Sequence, residues 1–162
     1  MCGFGYVWEN QGVENESNFI FKFTQRLKDM YQQEFYSKLN ESHKAFMYRN
    51  VITCFKIPFY VQLIQDVRYR LAITKLRTSN HRMCIETGRW AKPPIPLHNR
   101  LCTQCNEIDD EFHMVLVCSK FLQLRQKYIK KYFYVKPSMY KLILLFNSEK
   151  KKIVFNLGIF LY

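Results

Sequence analysis

From Asn18 to Leu39 apolar side chains return every three or four positions. Phe19, Phe23, Leu27, Met30, Tyr31 and Phe35 fall on one stripe, which predicts an amphipathic helix. Ser17 or Asn18 offers an N-cap, and Asn40-Glu41-Ser42 a break. Residues 1–16 carry Gly, Asn and Glu without a period and are expected to form a mobile N-terminal arm. Residues 45–57 fit either a short strand or an extended connector. Pro58 can open a helix, and Tyr60, Leu63, Ile64, Val67 and Leu71 continue at helical spacing to about Thr78.

Gly88 and the Pro93-Pro94-x-Pro96 run oppose regular helix between 87 and 97. Leu122 to Tyr134 reads as a basic amphipathic helix that Pro137 ends, and two short helices fit 138–147 and 149–160. The expected architecture is mostly α. A small helical domain over residues 17–162 holds a loop-rich segment, 99–120, in its middle.

Charge changes the picture. The 162 residues carry a net charge of +12, which calls for an anionic partner, nucleic acid before an acidic membrane surface; solvated basic helices are the bland alternative. The charge is segregated. Residues 68–100 hold eight Lys or Arg against one acid, Glu86, and residues 120–162 hold ten against one, Glu149. Between them lie Glu107, Asp109, Asp110 and Glu111 with no cation. The longest apolar run, Ile153 to Tyr162, is half of the ~20 residues a membrane span needs. The first residues have neither a basic n-region nor an apolar h-region, so the expected compartment is intracellular, nuclear or cytoplasmic.

Six cysteines in such a chain suit thiols or metal ligands better than disulfides. Cys102, Cys105, His113 and Cys118 follow a C-x2-C-x7-H-x4-C spacing. The two-residue gap puts the first two sulfurs on one tight turn, and the seven-residue spacer can fold back. Four ligands of Cys3His type with no open position suit structural Zn²⁺. Buried thiols and one satisfied histidine are the alternative. On an ideal helix His113 and Cys118 stand about 140° apart, so the helix should end or distort near Cys118. Asp109, Asp110 and Glu111 fit the first turn of the His113 helix, where negative charge is favoured, better than a catalytic metal pair. Cys2, Cys54 and Cys84 are isolated and expected to be core or incidental.

Upstream, KLRTSNHRMCIETGRW places Lys75, Arg77, His81, Arg82, Arg89 and Trp90 close in sequence. Cations hold phosphates and a base stacks on Trp, so these are the candidate nucleic-acid residues. The competing reading packs Trp90 on the finger and pairs Glu86 with an Arg.

The stretch LRTSNHRMCIETGRWAKPPIPLHNRLCTQCNEIDDEFHMVLVC resembles the C-terminal CCHC segment of non-LTR retrotransposon reverse transcriptases, in particular invertebrate stand-alone copies. The shared features are an LR-x-S-x-H end to a helix, an IE-x-GR turn, a C-x2-C…DEFH…C finger and a basic helix such as Leu124 to Tyr132. The resemblance implies a nucleic-acid-binding finger on Cys102, Cys105, His113 and Cys118; the basic flanks would hold RNA or DNA mainly through phosphates, with little sequence specificity. It implies neither polymerase nor endonuclease activity, since those domains have no counterpart here. Related frames run on past the position of Tyr162, so a shortened transposon remnant is one expectation. A structural or protein-interaction domain is another.

Overall fold

The computed structural model describes residues 3–52 and 54–162. They are mostly α-helical and divide into two compact units, Met1–Ser42 and His43–Tyr162. The boundary at Ser42 differs from the one expected at residue 16. No helix among the described residues is long and apolar enough to cross a membrane.

The first unit contains α1 (Gly5–Asn10) and α2 (Glu16–Glu41). A helix therefore stands where the sequence pattern suggested an arm. Asn15 rather than Ser17 or Asn18 caps α2, its side chain accepting from the Asn18 amide at 2.9 Å. Phe4 explains the order before α2: its ring lies 5.4 Å from that of Phe19 and 5.5 Å from that of Phe23. Such aromatic pairs add to simple burial.

The second unit is built from α3 (Phe46–Val51), α4 (Phe59–Leu63), α5 (Val67–Arg77), α6 (Cys84–Trp90), α7 (Leu122–Tyr128), α8 (Lys131–Tyr134), α9 (Met139–Phe146) and α10 (Lys151–Leu161). Helix α3 occupies part of the segment read as strand or connector, with Met47 and Val51 one turn apart and both buried. The expected helix 58–78 is two. The chain is extended at Ile64, and Asp66 caps α5 by accepting the Arg68 amide at 2.9 Å. The break resets the helical phase. Val67 and Leu71, which continued the helical spacing of Tyr60 and Ile64, are exposed, and Ile73 and Leu76 are the buried apolar residues of α5. Helix 122–134 is likewise interrupted, at Ile129-Lys130.

Helix α10 lies against α5 at closest approach through Gly158, where a Cβ would come 2.7 Å from Tyr69 Cβ. Around this pair Met47, Val51, Tyr60, Ile64, Val115, Leu116, Leu142, Phe146, Val154 and Leu157 form one core. Val115 and Leu116 belong to the Cys/His segment, so the core supports that segment directly.

Candidate metal centre

The segment opens as a hairpin-like knuckle. Leu101 and Ile108 form an antiparallel bridge. The Cys102 amide donates to Glu107 O at 2.7 Å, and the Asn106 amide to Cys102 O at 2.9 Å. Asn106 takes the left-handed conformation, φ 56°, which Asn tolerates better than most residues. Asp110 caps the next turn, its carboxylate accepting the His113 amide at 2.8 Å. From His113 to Val117 the backbone then forms a π turn, and the Cys118 amide donates to His113 O. A bond from residue i+5 to residue i is the π-helical pattern. It replaces the α-helical advance that would splay His113 from Cys118, and Cys118 itself is extended, ψ 125°. The distortion expected near Cys118 is therefore a π turn that ends there.

Ligand atoms of Cys102, Cys105, His113 and Cys118 all lie within 4.8 Å of one another. Cys118 Sγ is 3.8 Å from both Cys102 Sγ and Cys105 Sγ. Disulfide sulfurs stand about 2.0 Å apart, so these are free thiols. Tetrahedral zinc with Zn–S bonds of about 2.3 Å requires sulfur–sulfur edges of about 3.8 Å. His113 supplies an independent test of fit. Its Nδ1–H donates to Glu107 Oε2 at 3.1 Å, while Nε2 is buried with no hydrogen-bond partner. A buried orphaned nitrogen is costly, and a metal bond at Nε2 removes that cost. The Glu107–His113 pair then matches the carboxylate–histidine–metal arrangement that fixes ring orientation. The four residues can hold a metal ion, and their donor set suits Zn²⁺.

Backbone amides are aimed at the sulfurs. Ser119 donates through its amide to Cys105 Sγ at 3.4 Å, and its hydroxyl lies 3.3 Å from the same sulfur. These bonds hold the Cys105 thiol down to about 7. Amides of Gln104 and Cys105 lower Cys102 despite its burial. Burial pushes Cys118 up to about 11. Burial also works against a charged His113, yet the nearby Cys102 and Cys105 sulfurs raise it overall.

Arg125 holds the knot from behind, a role the sequence reading missed. It is 2% exposed. Nε donates to Val115 O at 2.7 Å, Nη1 to Val117 O at 3.5 Å, and Nη2 to Met114 O at 3.2 Å and Cys118 O at 2.7 Å. These carbonyls end a helical turn and need donors from elsewhere. Burial lowers the Arg125 pKa while the Cys118 sulfur opposes that shift. Arg125 was legible in principle, because with Phe121, Tyr128 and Ile129 it falls on one helical stripe.

The three acids after the knuckle do not share the one role expected. Asp109 binds α6: its carboxylate accepts the Cys84 amide at 2.8 Å and its carbonyl the Ile85 amide at 3.1 Å. Asp110 is the cap already described. Glu111 is buried, and Oε1 accepts from Ser79 Oγ at 2.7 Å and from His81 Nε2 at 2.8 Å. Burial alone would raise this carboxyl, but the His81 and Ser79 bonds hold it below its usual range.

The IE-x-GR sequence is not a turn. It lies within α6, and Gly88, expected to oppose helix, is required there by packing. A Cβ on Gly88 would come 2.7 Å from Arg100 Cγ. Arg100 crosses this spot to donate to Ile85 O and Ile95 O, both at 2.9 Å. It thereby ties α6 and the proline loop to the knuckle.

The six candidate nucleic-acid residues scatter. Arg77 is 2% exposed, with Nη1 donating to Phe146 O at 3.0 Å and Asn147 Oδ1 at 3.3 Å, under the rings of Tyr60 and Phe146. A guanidinium so enclosed has no path to a phosphate, which corrects its assignment as a surface contact. His81 is held by Glu111, and Arg89 pairs with buried Glu86 at 3.1 Å, the pairing anticipated for Glu86. Lys75 and Arg82 are exposed and line one groove of 690 Å³ with Arg68, His81, Met114 and Tyr162. Trp90, 70% exposed, stands in a separate groove that shares Asn80 and His81 with the first. Cys84 is partly buried and Cys54 exposed; Cys2 lies outside the described residues.

Comparison with known proteins finds no matching family model, no similar curated protein and no similar solved structure.

Proposed function

We propose that this chain is a zinc-stabilised module that binds RNA or DNA through phosphates, with little sequence specificity and no catalytic activity of its own. The observation that carries the reading is the groove beside the π turn. Lys75, Arg82 and Arg68 line it with no acidic side chain among them, next to the exposed ring of Tyr162. Arg68 is exposed but paired with Asp66 at 2.8 Å and lies 5.5 Å from the Tyr162 ring centre, so Lys75 and Arg82 are the groove's cations that have no acidic partner among the described residues. Structural zinc on Cys102, Cys105, His113 and Cys118 would fix the π turn that supplies Met114 to this groove. The likeness to the C-terminal segment of retrotransposon reverse transcriptases points the same way, toward a nucleic-acid-handling part without the polymerase. An intracellular site, nuclear or cytoplasmic, fits this reading.

The test is fluorescence anisotropy with labelled single-stranded RNA and DNA across a salt series. Phosphate binding predicts a steep loss of affinity with salt, and Lys75→Ala with Arg82→Ala should lower the log–log slope by about 0.7 per lost contact. The burial of Arg77, and the pairing of His81 and Arg89 with buried carboxylates, favour a second reading, a zinc-stapled protein-interaction domain. Absence of binding at low salt by a folded, zinc-loaded chain would leave that reading in place of the first.

A further inference from the structure

A second groove, of 350 Å³, lies across the molecule's other basic stretch. Lys127, Lys130 and Lys131 enter it from α7, α8 and the break between them, and Lys152 from the first turn of α10. Gln126, Tyr128, Tyr134 and Asn156 complete its polar lining, and Ile129, Leu145 and Ile153 its apolar part. No acidic side chain lines it. None of the four lysines makes an ion pair among the described residues. Lys127 Nζ instead lies 5.2 Å from the Tyr128 ring centre.

This arrangement works against the stability of the free chain. Like charges gathered in one concavity repel, and the low-dielectric walls concentrate their field. The first turn of α10 has no acidic residue, so Lys151 and Lys152 sit where a helix disfavours cations. Local rules broken without an internal compensation mark functional places. An anion in the groove relieves both costs at once.

The lining also indicates which anion. Four ammonium groups and no guanidinium provide charge without the planar fork that reads a carboxylate or a base edge. Tyrosine and asparagine add neutral hydrogen bonds of the kind made to phosphate oxygens and sugars. We propose that this groove is a second phosphate-binding surface, one that holds the backbone of a nucleic-acid strand and does not read its sequence. The inference rests on the nucleic-acid reading above and adds a separate contact to it. The grooves meet opposite ends of α10, Lys152 and Ile153 on one side and Leu161 and Tyr162 on the other. A helix of 11 residues is about 16 Å long, a span one strand can cover.

The test uses the full zinc-loaded chain and a fluorescein-labelled 20-nucleotide RNA in a salt series. In one variant Lys127, Lys130, Lys131 and Lys152 are all changed to Gln. A control of equal charge changes exposed Lys22, Lys28, Lys56 and Lys92 to Gln. The groove variant should lose about 2 to 3 from the log–log salt slope, near 0.7 per phosphate contact, and the control less than 1. Equal slope losses in the two variants would reduce the groove to diffuse charge and overturn the proposal. A groove variant that is folded, retains zinc and keeps the parent slope would overturn it too, with the nucleic-acid reading intact. No binding by the parent chain at low salt overturns both. Parent binding to phosphatidylserine vesicles in preference to RNA would assign the lysines to a lipid surface and also end the proposal.

Discussion

Two neighbouring stretches, Leu101–Cys118 and Lys75–Trp90, differ in how their side chains are gathered. In the first, four residues chosen by type and spacing converge within 4.8 Å. In the second, six residues chosen the same way end in four environments: the core, a histidine–glutamate pair, an i,i+3 ion pair and open grooves. Metal-ligand spacing encodes a local geometry, because a short loop can reach only a few shapes. Charge encodes no location. A cation goes to the surface unless its position on a helix turns it inward, and then the core must supply acceptors.

The sharpest way to break this contrast is to withhold the zinc that the four ligands are proposed to hold. Chelation, or Cys105→Ser, should cost most of a binding free energy that for structural zinc peptides is about 10–16 kcal/mol at neutral pH. We expect one zinc per chain by atomic emission, lost in the variant together with the ordered near-ultraviolet dichroism. A folded chain without zinc would place the finger on the same footing as the basic stretch, as residues merely near one another. Zinc affinity should also fall with acid. In the metal-free site Cys118 is protonated below about 11 and Cys105 below about 7. Between these values zinc must displace one thiol proton from this pair, and below 7 it must displace two. The raised His113 adds a further competing proton on the acid side. Titration calorimetry in buffers of different ionisation enthalpy measures that proton release.

A smaller effect is expected at Arg125. Arg125→Met keeps the stem but strands the carbonyls of Met114, Val115 and Cys118, at a cost of about 3 kcal/mol or more for bonds to a charged donor. Chemical denaturation would register it as a lower midpoint, and Arg125→Lys should not restore it, since one ammonium cannot span these acceptors. Next comes Arg77→Met, which loses the bonds to Phe146 and Asn147, about 1–3 kcal/mol. Its RNA affinity in the folded fraction should stay at the parent value. A drop in affinity comparable to that of Arg82→Ala would contradict the inward assignment. The mildest is Gly88→Ala, where the added methyl pushes the Arg100 side chain aside. We expect about 1–2 kcal/mol and zinc binding unchanged in stoichiometry.

The pattern of the sequence identified much of this structure. The helical periods placed α2, α9 and α10 close to their observed bounds, since an amphipathic stripe is a property of the helix itself. The strict C-x2-C-x7-H-x4-C spacing named all four converging ligands, and the wide angle between His113 and Cys118 announced a distortion. Other elements were misread for identifiable reasons. Asp66 was available as a cap, but the apolar spacing that runs on through Val67 and Leu71 masked the break. Gly88 was read from its backbone freedom, whereas its place in α6 comes from the Arg100 side chain that crosses it.

What the sequence determined by itself is therefore what acts over one or two turns: the helix periods of α2, α9 and α10, and a ligand spacing that a single knuckle can close. The tertiary structure decided which cations are inside. Lys75 and Arg77 are two residues apart on α5, and about 200° of helical rotation separates them. One reaches solvent; the other meets Phe146 O and Asn147 across the core. Only the tertiary fold, which brings the C-terminal end of α9 to Arg77, creates those acceptors. Likewise Arg125 becomes the support of the four-ligand cluster because α7 presents it to the carbonyls of a π turn that the chain alone does not specify.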